Sequence, residues 1–142
     1  MSISLPGNLF SVASLRLHRL WLLLGFAMVA AIFFFSLTAV AMPEGKHIDK
    51  LFHAASYAVV TAWFAQLYPR TAERLSLALA FSLMGVAIEF LQGLHPMRYF
   101  DVADMLANTC GTLLALALVS WCCGRLLMRL EDRLLGPLVE SD

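Results

Sequence analysis

The sequence predicts an all-α polytopic membrane protein: four transmembrane helices arranged as two helical hairpins, followed by an amphipathic C-terminal tail helix. Three observations point there. The chain has 142 residues, 61% of them hydrophobic, and a mean hydropathy of +0.78, too apolar for a soluble domain and sized for one small unit. Its apolar residues gather into four runs, about 20–41, 50–68, 75–93 and 102–123, each long enough to cross a hydrocarbon core as a helix. The charged residues, 14% of the chain, fall mostly between or beyond those runs. The formal net charge is zero, so no basic excess points to nucleic acid, and the expected partner is the lipid bilayer.

Residues 1–19 hold the helix breakers Pro6 and Gly7, then Arg16, His18 and Arg19. No charge interrupts residues 20–41, roughly 33 Å of helix. Basic residues before an apolar run that ends Ala39-Val40-Ala41 also fit a signal peptide with a small-residue cleavage site. The run is longer than a signal core and further spans follow, so it is read as an uncleaved first span. Pro43 and Gly45 begin a short polar connection. The second run carries His53, Ser56, Tyr57, Thr61 and Gln66, and the segment from Pro69 to Arg74 reads as a tight polar turn. The third run is clean until Glu89, and the fourth follows a loop over 93–101. In the tail, 124–142, Arg125, Arg129 and Arg133 recur every four residues, with Leu127, Leu130 and Leu134 on another side. That pattern suits a helix lying at the membrane surface, stopped by Gly136-Pro137.

Four spans place both termini on one side. Arg16, Arg19, Arg70, Arg74, Arg125, Arg129 and Arg133 share that side; Lys46, Lys50 and Arg98 face the other. By the positive-inside rule the termini are cytoplasmic and both polar stretches face the outer side of the membrane. Cys110, Cys122 and Cys123 show no metal-type spacing and read as small apolar residues packing within a helix.

The chemistry concentrates in two stretches on the outer side. One holds Glu89, Gln92, His95, Arg98, Asp101, Asp104 and Asn108; the other holds His47, Asp49, Lys50, His53 and Tyr57. Polar groups at the margin of an apolar span are costly and call for partners. Glu89 lies about 21 Å up its helix from Leu75, and His53 and Tyr57 lie about 5 and 10 Å inward from Lys50, so the two sets share one depth. Spacings of three and four put each set on one helix face. His53, Tyr57, Glu89, Gln92 and Asn108 are expected to converge in the outer third of the bundle, with Asp104 and Arg98 near its rim. His53, Glu89 and Asp104 are the candidates for acid–base catalysis. Asp49, Lys50, Tyr57, Gln92, Arg98, Asp101 and Asn108 are the candidates for binding, Arg98 and Lys50 suiting a phosphate. The bland alternative is a network that clamps the helices, with Asp101 as an N-cap and Lys50 reaching for the surface. Nothing matches a helical His-Glu-x-x-His signature, and His47 and His95 read as solvated loop residues, so neither a metal nor another cofactor is expected.

The ordered set Asp49-Lys50, His53, Tyr57, Glu89, Gln92, Arg98, Asp101, Asp104, Asn108 and Gly111 resembles the VanZ-like family of small bacterial membrane proteins. The likeness covers about residues 49–118. That family takes its name from a protein associated with teicoplanin resistance. The resemblance implies a bacterial envelope setting, with the chain in the inner (cytoplasmic) membrane, and a polar site, and leaves the reaction open. The functional expectation is a site at the outer membrane face for a lipid-linked or otherwise amphiphilic envelope molecule, with a non-enzymatic accessory or scaffold role as the alternative.

Overall fold

The computed structural model describes residues 15–38, 46–96, 99–123 and 125–136, and these form helices and their connections. In chain order they are α1 (His18–Leu37), α2 (Lys46–Leu67), α3 (Thr71–Gly93), α4 (Val102–Leu118), a π-helical turn over Val119–Cys123, and α5 (Leu126–Leu135). Three helical stretches, His18–Leu37, Thr71–Gly93 and Val102–Trp121, are long and apolar enough to cross a membrane. Large apolar side chains stand exposed along them, among them Leu23, Phe26, Leu79, Leu83, Leu106 and Leu113. An apolar surface of that extent belongs in lipid.

The second helix is as long as its neighbours but carries more polar residues, and its surroundings explain why. It packs most extensively on α4 and also touches α1 and α3. Tyr57, Val60, Thr61, Phe64, Ala65 and Leu67 are buried against those helices, while Leu51, Phe52 and Val59 face outward. The inward side of α2 meets protein rather than lipid, so Thr61 and Gln66 are tolerated there. Close approach is built in at Gly111, where any side chain would overlap the Ala54 carbonyl. Along the same contact, the hydroxyls of Thr61 and Thr112 meet at 3.4 Å, both fully buried. Small residues that let two helix backbones touch are a common packing device in membranes.

The expected turn after Pro69 is shorter than its polarity suggests. Residues from Thr71 on are already helical, because Glu73 reaches back to accept the Arg70 amide at 3.2 Å and so supplies an N-terminal cap. Arg74 donates to the carbonyls of Ala65, in the last turn of α2, and of Tyr68, just past its end, at 3.2 Å each. His47 likewise lies in the first turn of α2 rather than in a loop.

The tail helix also departs from expectation. Leu127 and Glu131 form its packed face, and Leu130 and Leu134 are exposed. The carboxylate of Glu131, 2% exposed, accepts the amides of Arg16 (2.7 Å) and Leu17 (2.9 Å) and the Trp21 indole N–H (2.6 Å). The amides at the start of a helix lack internal acceptors, and an acid there satisfies them and complements the helix dipole. Arg125, Arg129 and Arg133 remain exposed. Cys110 is exposed on α4 rather than packed inside.

Candidate functional site

At the end of the bundle away from α5, three helices bring ionisable groups to one place. The first turns of α2 supply Asp49, Lys50 and His53, spaced so that Asp49 and His53 share a face. Asp101 is the N-cap of α4, its side chain accepting the Ala103 amide at 2.8 Å, and Asp104 and Asn108 follow on the inner face. Glu89 enters from α3. The α2–α4 contact at Gly111 draws the first two sets together. Gly85, one turn below Glu89, leaves room for Asn108, whose Cβ and Nδ2 lie 3.0 and 3.1 Å from where a Gly85 side chain would begin.

Lys50 donates to Asp101 Oδ2 at 2.6 Å and to Asp104 Oδ1 at 2.7 Å. The Lys50 bond, and after it the Ala103 amide, hold the Asp101 carboxyl below the usual carboxylate range. His53 Nδ1 lies 3.2 Å from Asn108 Oδ1. Its Nε2 stands 3.8 Å from Asp49 Oδ1 and 3.7 Å from Asp104 Oδ2, beyond hydrogen-bond range. Glu89, 1% exposed, accepts the Asp101 amide at 2.6 Å through Oε1, which fixes the start of α4 against α3. Among the described residues its Oε2 has no hydrogen-bond partner, and neither does the hydroxyl of Tyr57, which is 2% exposed.

Seven of the ten sequence-chosen residues therefore meet: Asp49, Lys50, His53, Glu89, Asp101, Asp104 and Asn108. Asp104 is buried within the cluster, not near its rim, because Lys50 folds over it. Gln92 turns elsewhere. Its amide donates to the Ser36 carbonyl at 2.8 Å and ties α3 to the last turn of α1. Tyr57 lies one turn deeper than His53. Arg98 is outside the described residues.

A cavity of about 400 Å³ opens between α1 and α2 beside this cluster. Its walls are mostly apolar, with Met28, Ile32 and Phe35 from α1 and Val59 and Val60 from α2, and His53, Tyr57 and Gln92 line it as well. Sequence reasoning overlooked the α1 side of the site. The available signal was the Phe33-Phe34-Phe35-Ser36 end of the first span, which reads as plain membrane helix until its neighbour is known.

A protein-family model described as VanZ/LLP1 matches residues 7–123, a stretch that contains the whole cluster. The chain belongs to the VanZ-like family. The residues that carry the likeness, from Asp49 to Gly111, include the seven that meet at the site and the glycine that lets α2 and α4 touch. No curated protein and no solved structure matches this VanZ-like chain. Its chemistry must be read from the cluster itself: one imidazole nitrogen, four carboxylates and one ammonium at the end of an apolar bundle.

Proposed function

We propose that this VanZ-like protein spans the bacterial cytoplasmic membrane four times, with both termini inside, and receives an amphiphilic envelope molecule at its outer face. The head group meets the polar cluster and the hydrocarbon chain lies in the groove between α1 and α2. One observation carries the reading: an apolar groove of about 400 Å³ is lined at the same time by His53, Tyr57 and Gln92. Amphiphile sites combine these features, an apolar trough and a few placed polar groups. The chemistry open to the cluster is acid–base, with Glu89, whose Oε2 is buried and unpartnered among the described residues, as the proton acceptor. As the fourth span, α2 supplies 22 residues, about 33 Å of helix.

The test is to purify the protein in mild detergent and identify the lipids that stay with it by mass spectrometry. Ala31 lines the groove and is exposed, so Ala31→Trp fills the trough without disturbing the core. Loss of the retained lipid at unchanged melting temperature is expected. Undiminished lipid in that variant would sink the groove as the binding site. Orientation is checked separately in a cysteine-free background: Tyr99→Cys is expected to react with an impermeant maleimide on intact cells, and Thr71→Cys only after lysis.

A second reading has its own support. Lys50 bridges α2 to Asp101 and Asp104, and Gln92 braces α3 to α1, as a clamp in a non-enzymatic accessory protein would. Under that reading Ala31→Trp leaves sensitivity to lipid-targeting antibiotics unchanged, and Lys50→Met lowers the melting temperature.

A further inference from the structure

We propose that Asp49, His53 and Asp104 form a binding site for one divalent transition-metal ion, Zn2+ or Mn2+. The sequence offered no metal motif because the ligands come from two helices, so no local spacing reveals them. Folded, each of the three side chains presents one ligand atom, and these atoms lie within 4.8 Å of one another.

The orientation of His53 is the independent observation. Asn108 presents its amide oxygen 3.2 Å from Nδ1, and the tautomer that makes this hydrogen bond carries its proton on Nδ1. A neutral ring then leaves Nε2 as a lone pair, aimed between Asp49 Oδ1 and Asp104 Oδ2 at 3.8 and 3.7 Å. Three acceptors converging with no hydrogen between them repel one another, and a cation is what reconciles them. Metal-binding histidines commonly hold the distal N–H on a carbonyl or carboxylate, which sets the tautomer. Ligands about 2.0–2.2 Å from a tetrahedral ion are about 3.4 Å apart, so His53 needs to move only a few tenths of an ångström toward either carboxylate, and rotation of the two aspartate side chains, whose oxygens lie within 4.8 Å of each other, closes the rest.

Two further features point the same way. Glu89 Oε2 is an unpartnered, fully buried acceptor among the described residues, on a carboxylate whose other oxygen already holds the Asp101 amide. A buried acceptor left unpaired beside the cluster suits a water bound to the ion. The charge count is also lopsided. Asp49, Glu89, Asp101 and Asp104 are opposed, among the described residues, by the ammonium of Lys50. One nitrogen and two carboxylate oxygens favour Zn2+ or Mn2+ over Mg2+ and Ca2+, which prefer oxygen alone. Lys50 holds only Oδ1 of Asp104, which leaves Oδ2 for the ion.

The experiment uses the full chain in detergent, stripped with chelator, with any affinity tag removed. ZnCl2 and MnCl2 are titrated by calorimetry, and bound Mn2+ is examined by pulsed electron paramagnetic resonance for nitrogen coupling. One ion per chain and a histidine nitrogen signal are expected. Asp49→Asn, His53→Gln and Asp104→Asn are each expected to weaken binding by about tenfold or more. Among the described residues the Asp49 side chain makes no hydrogen bond, and it is 35% exposed, so its variant tests the site even where the Asp104 variant fails to fold. Asp132→Asn, at the other end of the bundle, is expected to bind as wild type. Lys50→Met is expected to bind more tightly, since it frees Asp104 and removes a competing cation. Absence of stoichiometric binding, binding unaffected by Asp49→Asn, or Mn2+ without nitrogen coupling would overturn the proposal. A His53 that merely takes up a proton gives the first of these results.

Discussion

The two ends of the bundle use similar residues to different ends. Near α5, polar side chains are consumed by helix termini. Glu131 takes three N–H groups at the start of α1, Gln66 accepts the Leu126 amide at 2.9 Å, Glu73 caps α3 and Arg74 closes α2. Donors meet acceptors there, as structural polar groups should. At the other end, beside the Lys50 bridges to Asp101 and Asp104, acceptors also face acceptors. His53 Nε2 looks at two carboxylates, and Glu89 Oε2 and the Tyr57 hydroxyl are buried without a partner among the described residues. Helix termini account for Asp101 and for one oxygen of Glu89, which takes the Asp101 amide at the start of α4, but not for the other Glu89 oxygen, and neither Asp49 nor Asp104 caps an amide among the described residues. A polar group that the backbone satisfies is part of the frame; one that nothing satisfies is waiting for a ligand.

The contrast breaks most visibly at Glu131. Replacing it with alanine strands three donors at once, two backbone amides and a buried indole, and is expected to cost about 3 kcal/mol. The loss is read as a fall in melting temperature in detergent. Lipid retention and metal affinity of the protein that remains folded are expected to be unchanged, because Glu131 lies at the opposite end from His53. Wild-type stability for Glu131→Ala would mean that α5 only lies on the membrane.

Much of this was legible in the sequence, and the boundary has a physical basis. Runs of apolar residues locate α1, α3 and α4 directly, since lipid demands them. Spacings of three and four place Asp49 with His53, and Asp101, Asp104 and Asn108 along one side of α4. Periodicity assigns a face and a depth, but not the neighbour that face will meet. Gln92 shares depth with Glu89, yet its amide donates to the Ser36 carbonyl in the last turn of α1. Glu131 was invisible because its partners are backbone amides, which every sequence has and no pattern marks. In the tail the arginines and leucines drew the eye, while the acid between them set the docking. Asp104 read as a rim residue until Lys50 was seen to fold over it.

Glu89→Gln sharpens the comparison from the other side. It keeps the shape and the oxygen that accepts the Asp101 amide, and replaces an unpartnered acceptor with a weak donor. The folded protein is expected to remain within about 1 kcal/mol of wild type, or to gain. Metal affinity and any envelope phenotype are expected to fall. Loss of stability alongside function would move Glu89 to the structural class and return the cluster to a clamp.

Acid titration gives the smallest and most specific difference. Burial alone would raise the Glu131 carboxyl, but the Leu17 amide, the Trp21 indole, the Arg16 amide and the Arg16 charge together outweigh it, and the net displacement is downward. A carboxyl whose folded pKa is depressed stabilises the fold above its unfolded value, about 4.3, and loses that contribution as pH falls through the folded value. The gap in melting temperature between wild type and Glu131→Gln is therefore expected to be full at pH 7 and to shrink steadily below about pH 4. Asp101, also displaced downward, gives the same sign in Asp101→Asn but a shallower change, because its side chain is 47% exposed and its pairing with Lys50 is screened by water. A Glu131→Gln gap that persists undiminished at pH 3 would show that the carboxylate's charge contributes nothing to holding α1, leaving only its shape.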